Sequence, residues 1–378
     1  MKKGWEYKTI RECCEILDSR RKPITKSKRE PGDIPYYGAT GLLDYVKDYI
    51  FDETLVLLGE DGAKWGPGES SAYQIYGKTW VNNHAHVLKP KSDIIDNYWL
   101  IYYLNYSDLN SFITGVTVPK LNQEKMTSIS IPTPPLSEQK EIVEYLDSSF
   151  AKIDKLKENA AKNLEEAKAL FQSALKDALE PKEGWEEKTL GEMVKDVKYG
   201  TSKPACADGA YTYLRMNNIT SDGHLDLNDT KTISLDDKEL EKCIVRKGDI
   251  LFNRTNSYEH VGKTCVFTEE TPMVIAGYII RIRLKECLNP YYMNYFFNMK
   301  DTKAKLRKIS VGAVHQSNIN AKAVQTVVIP LPSLPEQQSI VSFLDSLNEK
   351  VNTLQQNYSH ICDECDALKQ AILRQVFE

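Results

Sequence analysis

One block of this chain is written twice. Pro132-Thr133-Pro134-Pro135-Leu136-Ser137-Glu138-Gln139 returns 198 positions later as Pro330-Leu331-Pro332-Ser333-Leu334-Pro335-Glu336-Gln337. The stretches that follow stay in register: Ile142 with Ile340, Val143 with Val341, Leu146 with Leu344, Asp147 with Asp345, Ile153 with Val351, Leu156 with Leu354. Gly4-Trp5-Glu6-Tyr7-Lys8-Thr9-Ile10 likewise reappears as Gly184-Trp185-Glu186-Glu187-Lys188-Thr189-Leu190. Self-similarity at a fixed period constrains a fold more than any single motif. Two copies of one unit present two similar sites, which suits a target with two halves.

Each copy reads as a strand-rich globular part, a proline-punctuated hinge and a long helix. Leu55-Val56-Leu57-Leu58 and His86-Val87-Leu88 predict strands in the first copy, with a short aromatic helix over Asn97 to Tyr106. Asp249-Ile250-Leu251-Phe252, Tyr278-Ile279-Ile280-Arg281 and Pro290 to Asn298 answer in the second. β-Branched and aromatic runs between Gly, Asn and Asp turns favour strands. Proline is tolerated at a helix start and bars helix just before it, so each hinge is a sharp boundary. The expected organisation is a first globular domain over 1–135, a spacer helix over 136–180, a second domain over 181–333 and a second helix over 334–378.

The last helix carries apolar or near-apolar residues at Ile340, Leu344, Leu347, Val351, Leu354, Tyr358, Ile361, Cys365, Leu368 and Ile372, alternating steps of four and three. That is a coiled-coil seam. The first helix repeats the frame more loosely through Ile142, Leu146, Ile153, Leu156, Ala160, Ala167, Leu170 and Ala174, while Phe150, Leu164, Phe171 and Leu175 widen its stripe. Each seam needs a partner, and the nearest is the other copy. The expected fold is therefore α+β: two similar mixed α/β domains separated by two long antiparallel helices in an intramolecular coiled coil, with pseudo-two-fold symmetry. Helices that instead join two chains are the alternative. A helix of about 40 residues is about 60 Å long, so it spaces as well as joins.

Catalytic chemistry finds no foothold. Val261-Gly262-Lys263-Thr264 hints at a phosphate loop, but Ser257 stands where its first glycine belongs. His84 and His86 lie two apart with no third metal ligand evident, and alternation along a strand explains them better. Cys362-Asp363-Glu364-Cys365 has half a zinc spacing, and no second pair answers it. Cys365 falls on the helical seam, where a small buried hydrophobe is the simpler role. No catalytic residue, metal site or cofactor of its own is expected. No apolar run is long enough to span a bilayer and no secretory leader opens the sequence, so a cytoplasmic protein without a membrane partner is expected. The net charge of -4 speaks mildly against a generic basic nucleic-acid binder, although bulk charge does not veto a local basic face.

Polar and aromatic residues gather in turns instead. In the first copy these are Tyr36, Tyr37, Thr40, Lys64, Trp65, Asn82, Asn83, His84, Thr117 and Lys120. In the second they are Arg215, Asn217, Asn218, Arg254, Asn256, Ser257, Tyr258, His315, Gln316 and Ser317. Arg and Lys suit guanine, Asn and Gln suit adenine, and hydroxyls and Lys suit phosphates. Any one of them could equally be an ordinary turn. Both copies place such loops at matching positions with different letters, as two reading heads for two words would.

The chain resembles the specificity subunit of type I restriction–modification systems. The resemblance rests on Pro132 to Gln139 and Pro330 to Gln337, the Gly-Trp-Glu openings at Gly4 and Gly184, the Pro35-Tyr36-Tyr37-Gly38-Ala39-Thr40-Gly41 element and the Gly115 and Gly312 loops. It implies a non-catalytic subunit that binds double-stranded DNA with a bipartite target, each domain reading one half. It further implies docking of two modification (methyltransferase) subunits and, through them, restriction subunits. The helices would set the gap between half-sites and meet through Ile142, Leu146, Ile153, Leu156, Ile340, Leu344, Leu347, Val351, Leu354, Ile361 and Leu368. A coiled-coil adaptor that binds no DNA and a fused restriction–methyltransferase are the rival readings.

Overall fold

The computed structural model describes residues 4–115, 117–313 and 316–378, with the backbone alone of Ala313 and Gln316. The chain divides into two compact units, Met1–Ala161 with Tyr358–Glu378, and Lys162–Asn357. Both follow one plan.

In the first unit β1 (Glu6–Thr9) leads through a one-turn helix into β2 (Cys14–Ile16). Thr9 caps that turn reciprocally with Glu12. Then come β3 (Ile34–Gly38), β4 (Gly41–Val46), β5 (Phe51–Asp52), β6 (Leu55–Gly59), β7 (Ala72–Ile75), β8 (Lys78–Val81), β9 (Ala85–Pro90) and β10 (Ser130–Thr133). They form sheets of order β2-β9-β6-β7 and β4-β3-β8-β5, with β1 on β10. The pair β3–β8 is parallel. Every residue of β6 is buried, as expected for a strand covered on both faces. The aromatic helix runs over Asn97–Tyr106, where the sequence predicts it, capped by Asp96.

The second unit repeats this order. Its strands are β11 (Glu186–Thr189), β12 (Val194–Tyr199), β13 (Tyr211–Leu214), β14 (Lys231–Ile233), β15 (Ile244–Val245), β16 (Ile250–Asn253), β17 (Thr255–Asn256), β18 (Thr264–Val266), β19 (Met273–Ile275), β20 (Ile279–Leu284), β21 (Val311–Ala313), β22 (Gln316–Asn318) and β23 (Val328–Leu331). The sheet orders β12-β20-β16-β18 and β14-β13-β19-β15, with β11 on β23, match the first unit strand for strand. The parallel pair recurs as β13–β19. The aromatic helix recurs as Pro290–Asn298, capped by Asn289. A basic helix, Lys300–Lys308, follows it.

The duplicated motif has a structural job. Gln139 is fully buried. Its Oε1 accepts from Asp96 N at 2.9 Å, and its Nε2 donates to Ile94 O at 3.0 Å and Pro134 O at 2.8 Å. Gln337, equally buried, accepts from Asn289 N at 2.8 Å and donates to Cys287 O at 3.0 Å and Pro332 O at 2.9 Å. The glutamate before each glutamine accepts from a tryptophan: Trp5 Nε1 to Glu138 at 2.9 Å, Trp185 Nε1 to Glu336 at 3.1 Å. Next to these, Trp99 Nε1 donates to Pro132 O at 2.8 Å and Tyr292 Oη to Pro330 O at 2.9 Å. The Gly-Trp-Glu opening, the hinge and the Glu-Gln pair are thus one network. It fixes where the long helix leaves its globular part.

The first long helix is Leu136–Leu179 and the second Leu334–Phe377. In the first unit Lys369 pairs with Asp154 at 2.5 Å and Lys157 with Asp366 at 2.9 Å, so numbers fall on one segment as they rise on the other. In the second unit Ala174 and Ala178 line one cavity with Ser339 and Ile340, and Glu165 and Ala169 line another with Asn352 and Gln356. The segments run antiparallel in both. Cys365 is buried against Ile153 O in the first unit, as a small hydrophobe would be.

The seam differs from the expected heptads. Ile153, Leu164 and Leu175 are buried at steps of eleven, and Leu373 ends a second series through Ile340, Val351 and Cys362. Eleven residues give about 3.67 per turn, close to a straight helix, whereas a strict heptad drifts by about 20° per repeat. The drift turns the later heptad positions outward. Leu156, Leu354 and Leu368, expected at the interface, are 58%, 40% and 48% exposed. Leu146 and Leu344 are buried; Ile142, Ile340, Leu347, Val351 and Ile361 are half-buried. Each unit consequently presents an equivalent exposed trio: Tyr145, Leu156 and Leu368 in the first, Phe343, Leu354 and Leu170 in the second.

Candidate nucleic-acid interface

Three segments of the first unit converge beyond the end of β6: Glu60–Trp65, Asn82–His84 and the paired Thr114 and Lys120. Backbone bonds hold them together, Glu60 N to His84 O at 2.8 Å, Leu121 N to Glu60 O at 2.8 Å and Lys120 N to Thr114 O at 2.8 Å. Beneath lies a buried charged cluster. Asp18 Oδ2 lies 2.6 Å from His86 Nδ1, and His86 Nε2 meets Leu121 O at 2.7 Å. The imidazole thus bridges a carboxylate and a backbone carbonyl. Glu60 receives Arg21 on one oxygen and Lys120 Nζ, at 2.8 Å, on the other. Burial pushes the Glu60 carboxyl up, but its bonds from Lys120 and Arg21 prevail and leave it below its usual value. Asp18, Glu60 and His86 stand close enough to share a cation. Arg21 and Lys120 already neutralise that cluster, so it reads as an ion-pair network that fixes loops.

The second unit uses the same backbone frame. Arg254 N bonds Tyr278 O at 2.9 Å and Ile319 N bonds Arg254 O at 2.8 Å, which makes Arg254 the counterpart of Glu60. Asn318 then answers Lys120, and Arg254 Nη2 donates to Asn318 Oδ1 at 3.0 Å. The Arg254 guanidinium also lies 4.8 Å from the Tyr199 ring centre. A carboxylate with a lysine in one unit is a guanidinium with an amide in the other. The scaffold is shared and the chemistry is not.

Among the expected contact residues, five are framework. Tyr36 is buried with its hydroxyl against the Ile24 backbone. Trp65 is buried and donates to Gly59 O at 2.9 Å. Asn82 is buried and caps His84 N; Asn218 is buried and donates to Asp226 O and Asp229 O. Ser317 is buried in β22. In the structure these side chains are buried and hold turns, a role that asparagine, serine and aromatics fill as readily as they meet bases. Tyr37 is half-buried against Tyr73.

The others reach solvent in whole or part. Thr40, Lys64, Asn83, His84 and Thr117 are exposed, with His84 Nδ1 on Asp61 at 2.5 Å. Lys120 is partly exposed beside Glu60. In the second unit Asn217 and Tyr258 are exposed, and Arg254, Asn256 and Ser257 half-buried. Arg215 is half-buried and pairs with Asp229 at 2.9 Å. His315 lies outside the described residues, and Gln316 is described by its backbone in β22 alone. Sequence reasoning passed over Asp18, Arg21 and Asn318. The adjacent basic residues Arg20-Arg21-Lys22 were the available signal for the second of these; nothing in the sequence marks the other two.

The model of the type I restriction modification DNA specificity domain matches residues 2–166 and again 182–361. A putative type I restriction enzyme specificity subunit of Haemophilus influenzae is 29% identical over 92% of this chain and 89% of that one. The EcoKI specificity subunit of Escherichia coli is 24% identical over 87% of this chain and 75% of that one. A chain from a structural study of complex assembly and conformational transition in the type I system shares the fold at TM-score 0.77, with 19% identity over 100% of this chain and 98% of that one. The HsdS subunit of Thermoanaerobacter tengcongensis does so at 0.59, with 20% identity over 100% and 97%. No described helix is long and apolar enough to cross a membrane. With its two domain matches, the chain belongs to the type I restriction–modification DNA specificity family, a family of non-catalytic subunits.

Proposed function

We propose that the chain is the DNA-reading subunit of a cytoplasmic type I complex, each unit's loop cluster reading one half of a bipartite target. The observation that carries this is the exchange of Glu60 and Lys120 for Arg254 and Asn318 on one backbone frame. Conserved geometry with substituted donors and acceptors is what two different words require. The reading side chains are Thr40, Lys64, Asn83, His84, Thr117 and Lys120 in the first unit, and Arg215, Asn217, Arg254, Asn256, Ser257 and Tyr258 in the second. Helices of 44 residues each, about 66 Å by rise, set the gap between half-sites. The equivalent exposed trios dock one modification subunit per unit, and restriction subunits join through these; a partner used twice needs two like surfaces. Exchanging residues 1–131 for those of a relative, followed by methylome sequencing in the host, tests the reading. One half-site should change and the other stay. A change in both would end it.

A further inference from the structure

Ten residues of the first unit, Arg20 to Arg29, contain six basic side chains and no acidic one. In a chain of net charge -4 this is a concentrated positive segment. The three arginines are tethers. Arg20 donates to Ile50 O at 2.8 Å, pairs with Glu53 at 3.1 Å and lies over the Phe51 ring. Arg21 bonds Asp18 O at 3.0 Å, Ala85 O at 2.8 Å and Glu60. Arg29 bonds Ile24 O at 3.1 Å, pairs with Asp44 at 2.9 Å and stacks 4.3 Å over Tyr36. The backbone is held as well, Lys22 N to Val81 O at 3.2 Å and Trp80 Nε1 to Lys22 O at 2.7 Å.

The three lysines do none of this. Lys22, Lys26 and Lys28 are exposed, and among the described residues no carboxylate lies within ion-pair distance of any of them. Asp44 is paired with Arg29 and also feels the field of Lys26, and Glu30 is paired with Lys47 at 3.0 Å. A rigid segment that points three cations at solvent carries mutual repulsion until an anion meets it. Lysine is a compact point charge without the planar fork of arginine, so an exposed row of lysines outside the loops suits phosphate oxygens. Arg21 ties the same segment to Glu60 and to the Asn83 carbonyl, in the reading loops.

We propose that Lys22, Lys26 and Lys28 form a phosphate-backbone clamp that sets the register of the first reading head on duplex DNA. The clamp rests on the DNA-reading function proposed above. The arginines transmit its position to the loops; the lysines supply sequence-independent affinity.

The test uses the full-length chain purified from its host together with the subunits that accompany it. Binding to a random-sequence duplex is followed by fluorescence anisotropy across a salt series. Three phosphate contacts contribute about 2.7 to the slope of log affinity against log salt. The triple variant K22A/K26A/K28A should lose that much slope, K22R/K26R/K28R should keep it, and the methylated words in the host should stay the same. An unchanged slope in the alanine variant overturns the clamp, as does loss of accompanying subunits from it, which would mark the segment as a docking surface for an acidic protein. Failure of the unmodified complex to bind any duplex would overturn the DNA-reading function itself, a separable result.

Discussion

Replacing Gln139 by glutamate changes one atom of a buried side chain and should uncouple the first unit at neutral pH. The amide accepts one bond and donates two, all inside the protein. A carboxylate keeps the bond from Asp96 N but turns an acceptor toward the carbonyls of Ile94 and Pro134. Only the protonated acid can donate there, and only to one of them. Its folded pKa must therefore lie above the ordinary value of about 4.3, so the native state binds the extra proton and stability falls as pH rises. If the acid stays protonated at pH 7, the cost is about 1.36 kcal/mol for each of about 2.7 pH units, or about 3.7 kcal/mol. The second carbonyl, left unpaired, adds about 1 kcal/mol. With a urea slope of about 2–3 kcal/mol/M, the midpoint should move down by about 2 M at pH 7 and by roughly 1 M at pH 5. Trp5, Trp65, Trp80 and Trp99 belong to the first unit and Trp185 to the second, so tryptophan fluorescence reports mainly the first. Q337E should do the same to the second unit, seen through Trp185 beside Glu336. A midpoint for Q139E equal to the parent at pH 7, or displaced equally at pH 5 and pH 7, would refute the proton-dependent network.

Two further outcomes follow from groups outside the Gln139 and Gln337 networks. Burial, with help from Arg307, pushes the Lys303 ammonium down to about 8, although its Nζ donates to Ser221 O at 2.7 Å. From there to the unfolded value of about 10.4 the native state holds less proton than the unfolded chain, so the second unit should gain about 1–3 kcal/mol as pH rises. Urea midpoints read through Trp185 should show that gain in the parent and lose it in K303M; an equal gain in both would mean another group carries it. The double variant L156E/L354E alters side chains that are 58% and 40% exposed, so it should fold as the parent does. Native mass spectrometry of the purified complex should show both modification subunits lost, and one lost from either single variant. Retention of both in the double variant would place their docking elsewhere.

The parts of this architecture that could be read from residues are those written twice. Glu138-Gln139 and Glu336-Gln337 stood out because two copies kept the same letters, and the structure supplies the cause: a buried amide with three backbone partners admits no other side chain without loss. Helix direction was equally accessible, since an unpartnered apolar stripe has few places to go. The detailed seam was not, because heptad and eleven-residue steps share most of their early positions and separate only where Leu156 and Leu354 turn outward. The loops proposed to read DNA resisted for a different reason. Asn82 and Asn83 are neighbours of one type, yet the first is buried under a turn and the second faces solvent. Turn chemistry and base-reading chemistry draw on the same donors and acceptors, and composition does not separate them. Glu60 and Arg254 make the point from the other side: the position is common to both copies, while the residue is free to change sign. On the DNA-reading function proposed above, selection for a shared frame leaves matching letters, and selection for distinct targets erases them at the reading positions.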